Sequence, residues 1–349
     1  MRRLAFLLAV VAGMTCSSGF GIAAEDAIPF TIADMVGPVN LSDEALWLFV
    51  VPDGRDSPVL SIERRQELLA GRLDVRRPNL PVEWRTILTG RELGTSGIAD
   101  HWHIFAHGAH WIVVSTPAGS FLLKLDPDFR RLGLFRVAPE GDRGSGGVVT
   151  NDMFLVAELK GVAVGHFLPG FGHRIYRFGM DGTSGDPIDF GGGLYRHANG
   201  ASAERVPAGF LVFAPMSLNP LMRSSIRLIR TDENWRPNRV VEAIAEDGMN
   251  IVMPSSVTLP SGYRIVHARV RVVGNGENEP GPGHGQRHSD DGMIVRYVLD
   301  PNFTVVSRQV IVSHSGNRPH TALFGNLLLT SWDGDGVWLR VDRLSGEVH

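Results

Sequence analysis

Cysteine is almost missing from this 349-residue chain: Cys16 is its only one. It lies in an N-terminal stretch with the three parts of a secretory signal. These are Arg2 and Arg3, an apolar run from Leu4 to Met14, and small residues ending at Ala23-Ala24. Cleavage after Ala24 would leave a mature chain, residues 25–349, that contains no disulfide. Its stability would then rest on a packed core, which a chain of that length can build. The alternative is a lipid anchor on Cys16, but Gly13-Met14-Thr15 departs from the Leu-Ala-Gly of a lipobox.

Lysine is nearly absent as well. Lys124 and Lys160 are the only two, which leaves Schiff-base chemistry little to work with. No Gly-x-Ser-x-Gly elbow, Walker loop or Cys-x-x-Cys pair occurs, so nucleophilic serine, nucleotide and thiol-redox functions have no motif behind them. Beyond Met14 no apolar segment is long enough to span a bilayer. Excess positive charge is lacking too: the formal charge of -3 becomes -5 once Arg2 and Arg3 are removed. That balance argues against nucleic acid as a partner. A soluble exported protein, periplasmic or extracellular, is expected.

What the chain does have is a repeat. A hydrophobic strand ending in aspartate and a turn recurs at 121–126, 175–181, 226–232, 294–300 and 337–342. Units of roughly 40–50 residues built from short strands indicate a β-propeller, each unit being one blade. The expected fold is all-β, a single propeller domain over residues 25–349 with five or six blades of antiparallel strands. His103 and His320 each begin a His-x4-Gly phrase whose glycine suits the turn between a blade's first two strands. After the aspartate, Asp126-Pro127-Asp128-Phe129 and Asp300-Pro301-Asn302-Phe303 share Asp-Pro-x-Phe, and Asp232-Glu233-Asn234-Trp235 is a looser copy. The recurring Asp126, Asp181, Asp232, Asp300 and Asp342 are therefore expected to cap turns.

Residues 41–99 match the repeat worst. They hold one plausible blade start, Ala45–Val51, and a charged stretch at Ser61–Leu73 with helical spacing. The glycine-rich 274–289 is expected to protrude between two strands of one blade. Because the chain stops soon after Asp342, the last blade needs a strand from elsewhere. Residues near Pro29–Met35 are expected to supply it and close the ring.

In a propeller, the residues just before each innermost strand meet at the axis. Those residues are Asp100, His101 and His103; Ser145; His197 and Asn199; Asn250 and Met253; and Asn317, Arg318 and His320. The expected axial mouth is therefore polar. His103 and His320 are candidate ligands for a divalent metal ion at the axis, the only cofactor the sequence suggests. His101 and His103 are expected to point to opposite faces of their strand, and His107 and His110 to lie exposed in a turn. Asp100 is the best-placed acid or base, Arg318 a clamp for a carboxylate, and His101, His197 and Asn250 further binding residues. Trp102 and Trp332 lie nearest the loop ends and are the candidate stacking platform.

Arg230-Thr231-Asp232-Glu233-Asn234-Trp235 resembles the turn before tryptophan in exported carbohydrate-active propellers, both sialidase-like and five-bladed glycosidase folds. The glycine of the sialidase Asp-box is absent, since Asn234 directly precedes Trp235. The resemblance implies a propeller and a carbohydrate ligand. A glycosidase would need two carboxyl groups about the bond, with Asp152, Glu158 and Asp333 as possible partners of Asp100. Two functions follow: a non-catalytic scaffold that binds a carbohydrate or protein ligand at the mouth, or a carbohydrate-active hydrolase or lyase using the same pocket.

Overall fold

The computed structural model describes residues 28–137, 153–168, 172–191, 200–217, 224–272, 292–313 and 316–346. The proposed signal, the 274–289 segment, Ser145, Asp152, His197 and Asn199 lie outside the described residues. Among the described residues the strands form six antiparallel four-stranded units. The first unit runs through Leu46–Val51, Val59–Arg64, Glu67–Arg72 and Arg85–Thr89. The second, third and fourth begin with the inner strands Asp100–Ala106, Met153–Glu158 and Ser202–Val206, and the fifth with Met249–Thr258. The fourth and fifth are joined by a single parallel pair, Ser224 with Asn250.

The sixth unit closes the ring. Its own strands are Asn317–Phe324, Leu327–Gly334 and Gly336–Gly346, and its outer strand is Phe30–Ser42, antiparallel to the last. The first and last described strands are thus hydrogen-bonded into one blade.

The apolar core lies between blades. Phe154, Val156 and Ile175 of the third blade pack on Phe210, Val212 and Trp235 of the fourth. Equivalent clusters join every other neighbouring pair, including Val50, Leu60 and Ile62 of the first blade with Leu329, Val337 and Leu339 of the sixth. Because both faces of each sheet are covered, second strands read as largely apolar runs. Ala109–Thr116 is buried along its whole length.

Ser61–Leu73 is not a helix. Val59–Arg64 and Glu67–Arg72 pair as a hairpin. Its charged middle is the turn, where Arg65 and Gln66 take φ of 49° and 75°, as tight hairpins require. Residues 41–99 therefore hold a four-stranded blade as regular as the others.

The turn aspartates divide. Asp126 Oδ1 accepts from the backbone N–H of Asp128 and Arg130 at 2.9 and 2.8 Å. Asp232 and Asp300 repeat this geometry, and Asp181 accepts from Thr183. In the three longer turns the aromatic residue takes a left-handed φ: 65° at Phe129, 62° at Trp235 and 73° at Phe303. That conformation directs the ring back onto the protein, and Trp235 stacks on Phe210 at 4.1 Å. Asp342 departs from the pattern. It is fully buried and forms ion pairs with Arg296 and Arg340.

Candidate functional site

Three inner strands are broken at matching places. Their pairing with the second strand slips at Trp47 in the first blade, at Met253-Pro254 in the fifth and at Arg318-Pro319 in the sixth. These are β-bulges, one of the few places a sheet admits proline. At each, a bulky residue sits at positive φ: 54° for Trp47, 54° for Met253 and 33° for Arg318. Such backbone is costly and persists only where the surroundings hold it. All three side chains belong to the wall of one axial cavity that is partly open to solvent.

Every blade contributes to that wall. Trp47 and Phe49 come from the first, Trp102 from the second, Met153 from the third and Gly200 from the strand entry of the fourth. Met253 and Pro254 come from the fifth, and Arg318, Pro319 and His320 from the sixth. The expected polar mouth is thus mainly aromatic, thioether and proline. The residues that precede each strand are polar, but the bulges aim other side chains inward.

Arg318 anchors the polar corner. Its Nη1 donates to Asp100 Oδ2 at 2.5 Å, across 218 positions of sequence. Its guanidinium carbon lies 3.7 Å from the centre of the Trp47 ring. Trp47 is fixed in turn by its indole N–H, which donates to the Ala99 carbonyl at 3.0 Å. Burial pushes the Asp100 carboxyl up while Arg318 pulls it down. Two more buried carboxyls lie close by. Burial raises Asp333 to about 6, partly offset by Arg318, and Asn317 Nδ2 donates to it at 3.3 Å. Burial raises Glu63 to about 7, and the Asp100 charge adds to the rise.

The floor is aromatic. Phe49 packs against His320 at 4.6 Å and Trp102 at 5.2 Å between ring centres. His320 Nδ1 accepts from the Val50 backbone N–H at 3.4 Å, which places the ring proton on Nε2. Burial holds this imidazole neutral, at about 3.

The remaining histidines are arranged differently from expectation. His101 and His103 point to the same side, since residues two apart on a strand share a face. Both reach Ser61 Oγ, His101 Nε2 at 3.0 Å and His103 Nδ1 at 2.9 Å. His110 is wholly buried rather than exposed, with its Nδ1 3.1 Å from His103 Nε2. Its Nε2 lies 3.7 Å from the Asp53 carboxylate, which Arg72 also holds. His107 is exposed, and its Nε2–H bridges to the carbonyls of Glu158 and Gly161 in the next blade. Both nitrogens of His103 are therefore engaged in a buried chain. Among the described residues no group of three or more His, Cys, Asp or Glu side chains is arranged to hold a metal ion.

The structure brings Asp100 and Arg318 into contact and sets Trp102, Arg318 and His320 on the cavity wall. His101 and His103 lie behind it. Trp332 is buried opposite Trp338 in the sixth blade, and Asn250 meets Ser224 at the junction of the fourth and fifth blades. Neither belongs to the wall. Sequence reasoning missed Phe49, Met153, Pro254 and Pro319 and did not single out Trp47. The legible signal was Met253-Pro254 and Arg318-Pro319, each a proline near the start of an inner strand.

Gly200 ties the fourth blade to the fifth at the wall. Its φ is 75°, and a Cβ there would lie 2.9 Å from Met253 Cγ. Gly200→Ala is expected to cost about 1–2 kcal/mol in urea denaturation. An unchanged midpoint would contradict this packing.

No family model matches the chain, and no curated protein matches it in sequence. Solved structures do match. A protein of unknown function from Dyadobacter fermentans is 11% identical with a TM-score of 0.60, over 91% of this chain and 100% of that one. The endosialidase of phage phi92 is 6% identical with a TM-score of 0.59, over 92% and 70%. A subtype N10 neuraminidase-like protein, of a little yellow-shouldered bat isolate, is 11% identical with a TM-score of 0.51, over 90% and 100%. At such identities the likeness is one of fold. The chain has the sialidase-like propeller architecture that its repeat and its turn before Trp235 implied.

Proposed function

We propose that this chain is an exported propeller that binds a ligand, or an exposed group of a larger partner, in its axial cavity without reacting with it. The observation that carries this reading is the trio of strained bulges that turn Trp47, Met253 and Arg318 toward one cavity. Backbone held in sparsely populated conformations clusters at ligand sites. Apolar walls with a few convergent polar groups are the usual form of such sites.

A second reading has one specific observation in its favour. Asp100 and Asp333 are buried carboxyls close to Arg318, Glu63 is a buried carboxyl near Asp100, and Glu63 and Asp333 are pushed to about 7 and 6. A buried carboxyl held protonated near neutral pH is what a glycosidase uses as its general acid. Carbohydrate is the substrate class that this reading would require.

Both are tested with one panel of mono- and oligosaccharides, read by calorimetry and by release of reducing ends. Binding without turnover, weakened about tenfold by Trp102→Ala, supports the scaffold. Turnover that disappears in Asp333→Asn overturns it in favour of the hydrolase. Binding that Trp102→Ala leaves unchanged would remove the axial cavity from consideration.

A further inference from the structure

The charge of the ligand can be read from what surrounds the cavity, given that the cavity is the binding site proposed above. Arg318 is the one cation among its lining residues. That cation is already engaged, with Asp100 on its edge and Trp47 under its plane. An anion entering the cavity therefore meets no unmatched positive charge.

Behind the same corner lie carboxyls without an ion-pair partner among the described residues. Glu63 accepts from the Gln66 backbone N–H at 3.4 Å, and Asp333 from Asn317. The second oxygens of Asp100 and Asp333 are buried, and among the described residues no side chain donates to them. Arg269, the other cation that acts on Asp333, is itself buried and is not on the wall. At pH 7.5, above the values of about 6 and 7 at Asp333 and Glu63, three carboxyls against two guanidiniums leave this corner with an excess of negative charge, and the low-dielectric wall screens it little. The cavity lining also holds Phe49 and Trp102, whose ring faces attract cations, and the polarizable sulfurs of Met153 and Met253.

We infer that the axial cavity takes a cation, an ammonium group on a compact apolar body, seated against Phe49 and Trp102 with the Asp333 and Glu63 carboxyls behind it. The carboxylate-clamp role expected of Arg318 is replaced by a structural one: matched by Asp100, it shapes the wall.

The test uses three probes of matched size and different charge: benzylammonium, benzyl alcohol and benzoate. Each is titrated calorimetrically into the full-length protein at pH 7.5 and low salt. Benzylammonium is expected to bind about tenfold or more tighter than benzoate, with benzyl alcohol between. In Asp333→Asn combined with Glu63→Gln, the ratio is expected to shrink to about threefold or less. Should the double variant fold poorly, raised salt provides the second measurement, since screening must narrow the same ratio. Benzoate binding as tightly as benzylammonium, with both lost in Trp102→Ala, would overturn the cation preference and leave the cavity a ligand site. Binding by none of the three would overturn both.

Discussion

Stability is expected to fall steeply as the pH drops below about 6.5, because five histidines are buried in their neutral form. His101, His103, His110, His173 and His267 are each 1% exposed or less. Burial holds His101 and His173 at about 3 and His110 at about 4. It lowers His103 and His267 well below their ordinary value, with neighbouring imidazoles adding to the effect at His103 and Arg296 and Arg340 at His267. Unfolded histidine titrates near 6.5. Above that pH neither state takes the proton. Below it the unfolded chain does and the folded one does not, so the advantage of the neutral form is lost as pH falls. Each of these histidines contributes about 1.4 kcal/mol per pH unit, the five together about 7, and His320, also held neutral at about 3, adds to the same limb.

Glu63 and Asp333 act in the opposite sense. Their folded values, about 7 and 6, are raised by burial. Their contribution is full below the unfolded carboxyl range and is lost as pH rises through 6 and 7. Together they oppose the histidines by at most about 3 kcal/mol per pH unit. Asp100 and Glu204 are also pushed up by burial, but each faces an arginine, Arg318 and Arg264, that limits its share. The histidines win. Urea midpoints measured from pH 5 to 8 should peak near pH 6.5–7 and fall on the acid side, and His173→Gln should flatten that limb by about 1.4 kcal/mol per pH unit. Midpoints that stay level down to pH 5 would show that these imidazoles are not buried and neutral.

Asp342→Ala is expected to cost about 3–5 kcal/mol, while Asp126→Ala costs far less. The two residues end the same sequence phrase but do different work. Asp126 accepts two backbone N–H bonds in an exposed turn, which water can replace. Asp342 lies between Arg296, itself 2% exposed, and Arg340. Arg296 Nε also donates to His267 Nε2 at 3.0 Å, so the ion pair is one part of a buried network joining the fifth and sixth blades. Removing the carboxylate leaves a guanidinium charged and desolvated. The paired change Arg296→Met with Asp342→Leu should recover most of the loss, since it removes both charges. Equal losses for Asp126→Ala and Asp342→Ala in urea denaturation would contradict this division.

Much of the fold was legible because propeller blades repeat local chemistry. The turn aspartates and the aromatics three residues after Asp126, Asp232 and Asp300 follow from short phrases. The site was legible only in part. Arg318, Met253, Asp100 and Trp102 were placed at the mouth by counting back from each inner strand. Which of them face the cavity depends on bulges at Trp47, Met253-Pro254 and Arg318-Pro319. A bulge is a mismatch between two strands, so one strand's sequence does not show it unless proline marks it. The charged residues Glu63 to Glu67 hid a hairpin because a charged turn between two buried strands mimics helical spacing. His110 looked like a turn residue, but it begins the second strand of its blade and is covered from both sides.

The convergence of remote segments on one mouth is tested most directly by a double-mutant cycle on Asp100 and Arg318. Their carboxylate and guanidinium meet at 2.5 Å although 218 positions separate them. Stabilities of the native protein, Asp100→Ala, Arg318→Ala and the double variant, all from urea denaturation at pH 7.5, give the coupling. A coupling of about 1–3 kcal/mol is expected, the double variant being less damaged than the two single losses together imply. Losses that add to within about 0.5 kcal/mol would mean that the two residues do not meet, and that the axial cavity is not built as described.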